Sequence, residues 1–191
     1  RWARESQARG GSSNRMADSF IVQNSTATTI VTGATHLAGS SVIAWGATAD
    51  LGSYTVSSTG QVTLSQAATT VCLGLPYEAW FKSVIPHFGA EHGTALTQRR
   101  KISHVGLLLA NFHTQGLQFG HSTLSTELDP LPLISAGATI STDSVANLFN
   151  QASIEMPPQW GVNRRIVLRA VAPRPCTVLG AVIQMETKEK T

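Results

Sequence analysis

Charge is what this sequence has least of. Only 13% of its 191 residues are Asp, Glu, Lys or Arg, about half the usual quarter of a soluble chain. A surface so short of ions is covered by Ser, Thr, Gln, Asn and Gly, or is hidden against other protein chains. That suits an assembly component better than a solitary enzyme. The net charge of +3 is too small for the signature of disorder, which combines low hydrophobicity with high net charge. It is also too diffuse to argue for nucleic acid. Long apolar runs are missing too. The longest near-apolar stretch, Val105 to Ala110, falls far short of the roughly 18 residues a spanning helix needs, so no membrane span is expected. Two cysteines, Cys72 and Cys176, are too few for a disulfide framework or a four-thiolate zinc site. Each lies in an apolar, strand-like run and reads as a small buried hydrophobe.

The length suits about one domain plus an arm. Residues 1–18 hold four arginines with Ser and Gly and no apolar periodicity, as expected of a flexible arm or linker. Residues 19–187 form the expected β-rich structural domain, and 188–191 a tail. Beginning Arg-Trp-Ala-Arg, with no apolar signal-peptide core, the chain is expected to be a processed product or a fragment of something longer.

Turn residues punctuate the domain at short intervals, the pattern of a β protein. Strands are expected at Ser19 to Gln23, Thr28 to Thr32, Val42 to Trp45 and Thr69 to Leu73. Tyr54 and Val56, the turn Ser58-Thr59-Gly60, then Val62 and Leu64 read as a hairpin. The longest candidate, about Lys101 to Phe112, sets Val105, Leu107 and Leu109 on one face and Ile102, Leu108, Ala110 and Phe112 on the other. Two apolar faces imply a central strand, or one face packed on another subunit. Ile166 to Ala172 and Thr177 to Gln184 are apolar strands flanking Pro173-Arg174-Pro175. Helix signals are confined to Glu78 to Ile85 and Asp143 to Asn150. The expected fold is all-β: an antiparallel β-sandwich or partly closed barrel with one or two short helices.

Catalytic patterns are sparse. His87 and His92 give H-x-x-x-E-H, one residue longer than the motif that sets two histidines on one helical face, and Gly89 and Gly93 oppose a helix there. His104, His113 and His121 match no metal-ligand spacing. Gly120-His121-Ser122-Thr123-Leu124 begins like a nucleophile elbow but lacks its last glycine. No phosphate-binding glycine loop is present. Glu127 and Asp129 are the one close carboxylate pair, with Pro130 and Pro132 placing them in a loop. No catalytic residue, cofactor or metal is therefore expected. The basic clusters Arg99-Arg100-Lys101 and Arg164-Arg165 open strands; they read as solvated strand ends, or as contacts with a neighbouring subunit or with passing DNA.

Several segments resemble the C-terminal region of the tail tubular protein B, or nozzle, family of short-tailed bacteriophages. They are Thr35-His36-Leu37-Ala38-Gly39, then Val71-Cys72-Leu73-Gly74-Leu75-Pro76-Tyr77, then Gln98-Arg99-Arg100-Lys101-Ile102-Ser103-His104-Val105, then Thr114-Gln115-Gly116-Leu117-Gln118-Phe119-Gly120. A terminal strand pair joined through proline, Ile166 to Met185, completes the order. The match covers most of the chain, with Phe88 to Leu96 resembling an insertion and Ala38 standing where the family commonly has an acidic residue. The resemblance implies a non-enzymatic structural protein of the virion. It implies a homo-oligomer, a hexameric ring in the phage tail beside adaptor and portal-side proteins and tail fibres or spikes, through which viral DNA passes during ejection. A rival reading is a carbohydrate- or receptor-binding β-sandwich of a phage tail that uses Trp45, Trp80 or Trp160. Of these, Trp80 beside Phe81 reads as core and Trp160, in a Pro-rich turn, as exposed. An enzyme built on His87 and His92 is the third.

Overall fold

The structure is a computed structural model that describes residues 16–47, 49–86, 89–90, 93–94, 98–135, 137–142 and 144–188. The fold is all-β, and strands pair antiparallel throughout. Contacts divide the chain into two compact units. The first runs to Glu78 and takes in Ser141–Val145 and Val171–Pro175; the second comprises Ala79–Ile140, Ala146–Ala170 and the chain from Cys176 onward.

The first unit is built on one four-stranded sheet of β1 (Asp18–Val31), β2 (Ser41–Trp45), β3 (Asp50–Thr55) and β4 (Val62–Leu75), in the order β1-β4-β2-β3. Its β-branched and apolar residues alternate between faces, and both faces are covered where β2 pairs with the second half of β4. On one face Val42 and Ala44 of β2 pack with Val71 and Leu73 of β4, Leu37 and Val56. On the other, Ile43, Trp45 and Cys72 pack with Ala172 and Val145 from the two returning segments. Ser19 to Gln23 and Thr28 to Thr32 merge into the single long β1, which shifts register between Asn24 and Thr28. The expected hairpin is corrected: its turn exists, with Ser57 N donating to Gln61 O at 2.9 Å, but β2 lies between β3 and β4. At Gly60 of that turn, φ is +75° and an added Cβ would stand 2.5 Å from Thr35 N, so only glycine fits.

The second unit holds β5 (Glu78–Lys82), the two-residue strands β6 (Gly89–Ala90) and β7 (Gly93–Thr94), β8 (Arg100–Phe112) and β9 (Leu117–Gly120). It continues with β10 (Leu128–Pro130), β11 (Ile134–Ser135), β12 (Ala138–Thr139), β13 (Ala146–Glu155), β14 (Val167–Val171) and β15 (Thr177–Thr187). Two sheets, β10-β9-β14-β5 and β13-β8-β15, share one core. Val105, Leu107 and Leu109 of β8 and Phe149 of β13 meet Leu117 and Phe119 of β9 and Leu168 of β14, which is a sandwich arrangement. Phe112 and Phe149 meet edge-to-face at 5.3 Å. Among the described residues no barrel closes.

β8 is central between β13 and β15, as its two apolar faces imply. Its face assignment needs correction at both ends. Ile102 and Phe112 join the core with Val105 and Leu109, and only Leu108 of that second set is exposed. The alternation is broken by a register shift beside Ile102 and by Asn111, whose φ is +46°. Both expected helices are also corrected. Glu78 to Ile85 contains strand β5, and the described part of Asp143 to Asn150 enters strand β13; Asp143 lies outside the described residues. Short apolar runs satisfy helical and strand periods equally, and sheet pairing decides between them. Among the described residues, the helical ones form three-residue 3₁₀ turns at Thr35–Leu37, Thr114–Gly116 and Ser125–Glu127.

Candidate functional site

The five basic residues singled out in the sequence take different roles. Arg100 is completely buried: its guanidinium donates to the carbonyls of Pro86 and Gln98, and its backbone exchanges two 3.0 Å hydrogen bonds with Gly161. It holds the start of β8 and is no solvated strand end. Lys101 reaches Glu186 at 3.7 Å. Arg165 donates to Ser83 O at 3.3 Å. Arg99 is exposed, and its carbonyl accepts from Lys188 N. Arg164 is half-buried and lies against Gly161, where an added Cβ would come within 2.9 Å of its Nε.

The residues that carry the family resemblance build turns and crossings. In Thr35-His36-Leu37-Ala38-Gly39, Leu37 is buried, His36 Nε2 lies 2.9 Å from Ser19 O, and Gly39 takes φ +78°. Gly74 sits where β1 begins: a Cβ there would come within 2.8 Å of Asp18 O and of the Ala17 and Phe20 side chains. In the turn Thr114–Gly116, buried His113 accepts from Gln115 N through Nδ1 at 3.2 Å. These roles are architectural, which explains residue choice without invoking chemistry.

The second unit presents exposed apolar residues on one sheet face. Residues opposite one another on paired strands share a face. Leu108 of β8, Leu148 of β13 opposite Ala110, and Val182 of β15 opposite Gly106 therefore lie together on the outer face of the three-stranded sheet. Leu148 is 59% and Val182 75% exposed. At the edge of the same unit, a groove of roughly 640 Å³ runs between β5 and β15, lined by Trp80, Phe81, Val84, Ile166, Val178 and Leu179. Arg169 stacks on Trp80 with its guanidinium carbon 5.4 Å from the ring centroid. Trp80 is thus exposed rather than core, whereas Trp45 is buried and unavailable as a platform. Cys176 lines the groove as a packed thiol, and burial pushes its pKa up to about 12. Cys72 is buried, and neither cysteine forms a disulfide.

A second, polar pocket of roughly 500 Å³ is lined by His121, Ser122, Glu127, Pro157, Gln159 and Arg164. Sequence reasoning missed it, because β9, β10 and β14 bring together residues more than thirty positions apart. Among the described residues no group of three His, Cys, Asp or Glu could hold a metal; His87 and His92 lie outside them. No helix of the described chain is long and apolar enough to cross a membrane. Compared with known proteins, the chain matches no family model and no curated protein.

Proposed function

We propose that this chain is a structural assembly subunit, and specifically part of a phage tail nozzle: a ring of identical chains through which viral DNA leaves the particle. The observation that carries the assembly reading is the outer face of the β13-β8-β15 sheet, where Leu108, Leu148 and Val182 stand exposed side by side. Apolar residues gathered on a sheet face mark an interaction surface. A sequence with only 13% charged residues supports the same reading. The nozzle identity rests on the ordered resemblance of five segments. In this role the neighbours are further copies of the chain, joined by repeated head-to-tail contacts that close a ring. DNA passes without being bound tightly, and no reaction is catalysed.

Mass photometry of the purified protein over a concentration series tests the proposal. A closed oligomer, six copies by the nozzle reading, is expected, visible as a ring by negative-stain imaging. Leu148→Asp combined with Val182→Asp is expected to shift the mass toward the monomer while far-ultraviolet circular dichroism stays unchanged. A monomeric mass at every concentration would sink the reading.

A further inference from the structure

The polar pocket of the second unit has an unusual electrical make-up. Arg164 and Glu127 both line it, yet no ion pair joins them or ties either to another described residue. A half-buried guanidinium without a counter-group is costly, since desolvating a charge is repaid only by close partners. The buried Nε of Arg164 and Nε2 of His121 also lack hydrogen-bond partners, and such groups are few in a folded protein. Among the described residues, the charges of Arg164 and Glu127 are therefore not neutralised within the wall.

The fold nevertheless holds these side chains in place. His121 Nδ1 lies 3.0 Å from Arg165 O. A carbonyl only accepts, so Nδ1 carries the proton and the tautomer is fixed. Ser122 Oγ accepts from Leu124 N at 3.1 Å, which leaves its O–H free to donate. Glu127 closes the 3₁₀ turn Ser125–Glu127, with its N–H bonded to Leu124 O at 3.0 Å. Gly120 lets that turn approach: a Cβ there would stand 3.0 Å from Glu127 O and 2.8 Å from the Leu128 side chain. Gly161 does the same for Arg164.

A ligand for this wall must offer an acceptor to Arg164 and a donor to Glu127, and must tolerate Ser122 and Gln159, which do both. Adjacent hydroxyls of a sugar ring meet every requirement, because each hydroxyl donates and accepts. Pro157 adds an apolar patch for the ring's C–H face. Trp160, 38% exposed, follows Gln159 in the same loop. The volume lies within the range of small-molecule sites. A simple anion fits worse, since it would face the Glu127 carboxylate.

We propose that this pocket is a saccharide-binding site for a neutral sugar, with Arg164 and Glu127 gripping neighbouring hydroxyls. The test is a glycan array of neutral oligosaccharides probed with the whole chain. Isothermal titration then follows with the retained sugar, with glycine and with inorganic phosphate. At least one neutral saccharide is expected to bind, weakening at least tenfold in both Arg164→Ala and Glu127→Ala. Glu127 is exposed, so its variant keeps the wild-type melting curve and carries the test even where Arg164→Ala folds poorly. Three results would overturn the proposal: no neutral sugar retained, sugar binding unchanged in Glu127→Ala, or binding of glycine or phosphate alone. None of these touches the ring reading, whose readout is mass.

Discussion

The two units use the same strand chemistry and finish it differently. In the first, the central strands β2 and β4 are covered on both faces where they pair, with Val42, Ala44, Val71 and Leu73 on one side and Ile43, Trp45 and Cys72 on the other, while the earlier half of β4 leaves one face open. In the second, β8 is equally central, but only its inner face is fully covered; the outer face shows Leu108 with Leu148 and Val182 beside it. A strand with two apolar faces is stable alone only if both are covered. The first unit supplies that cover from two returning segments, Ser141–Val145 and Val171–Pro175. On the assembly reading, the second takes it from a neighbour.

The sharpest way to break this comparison is to truncate one residue of each kind. Trp45→Ala opens a cavity in the fully buried core and is expected to cost about 3–5 kcal/mol in urea unfolding. Leu148→Ser on the open face is expected to change the stability of the isolated chain by less than about 0.5 kcal/mol. Equal losses would show that the outer face of the second unit is already covered.

A middle-sized effect comes from Cys176. Its folded-state pKa, about 12 against an ordinary 9.0, is raised by desolvation, so the folded chain holds the proton more tightly than the unfolded one. The resulting stability is full below pH 9 and is lost as pH rises toward 12, by on the order of a few kcal/mol at most. Melting curves across that window should fall more steeply for the wild type than for Cys176→Val. At pH 8 the Cys176 thiol should not react with a disulfide reagent before denaturation, because the thiolate is the reactive form.

The smallest effect belongs to the surface. Lys101→Ala removes the 3.7 Å pair with Glu186, both partly exposed, and should cost no more than about 1 kcal/mol, less at high salt. A larger loss would mean that this end of the β8–β15 ladder is better shielded than its exposure indicates.

Much of the fold was legible because strands write themselves locally, as apolar alternation between turn residues. β2, β8, β14 and β15 fall where that pattern puts them, while the expected strands at Val62 to Leu64 and Thr69 to Leu73 merge into the single strand β4. What failed was non-local. No sequence feature announces that β2 lies between β3 and β4, and Glu-Ala-Trp-Phe-Lys satisfies a helical or a strand period until a neighbouring strand chooses. The burial of Arg100 does have a local signature: a period of two places it with Ile102, and both are buried. The polar pocket had no local signature, since Glu127 and Arg164 are joined only through the β10-β9-β14 ladder.

The edge strand β15 has a kinetic meaning beyond its place in the ladder. From Thr177 to Met185 it contains no charged residue and no proline, the devices that normally keep a sheet edge from recruiting strangers. A chain made far from its neighbours would therefore offer a sticky template for as long as it waited. Variants that slow the closing of the ring should favour aggregates, and rapid closing should suppress them. The timing of synthesis becomes part of how this protein reaches its final form.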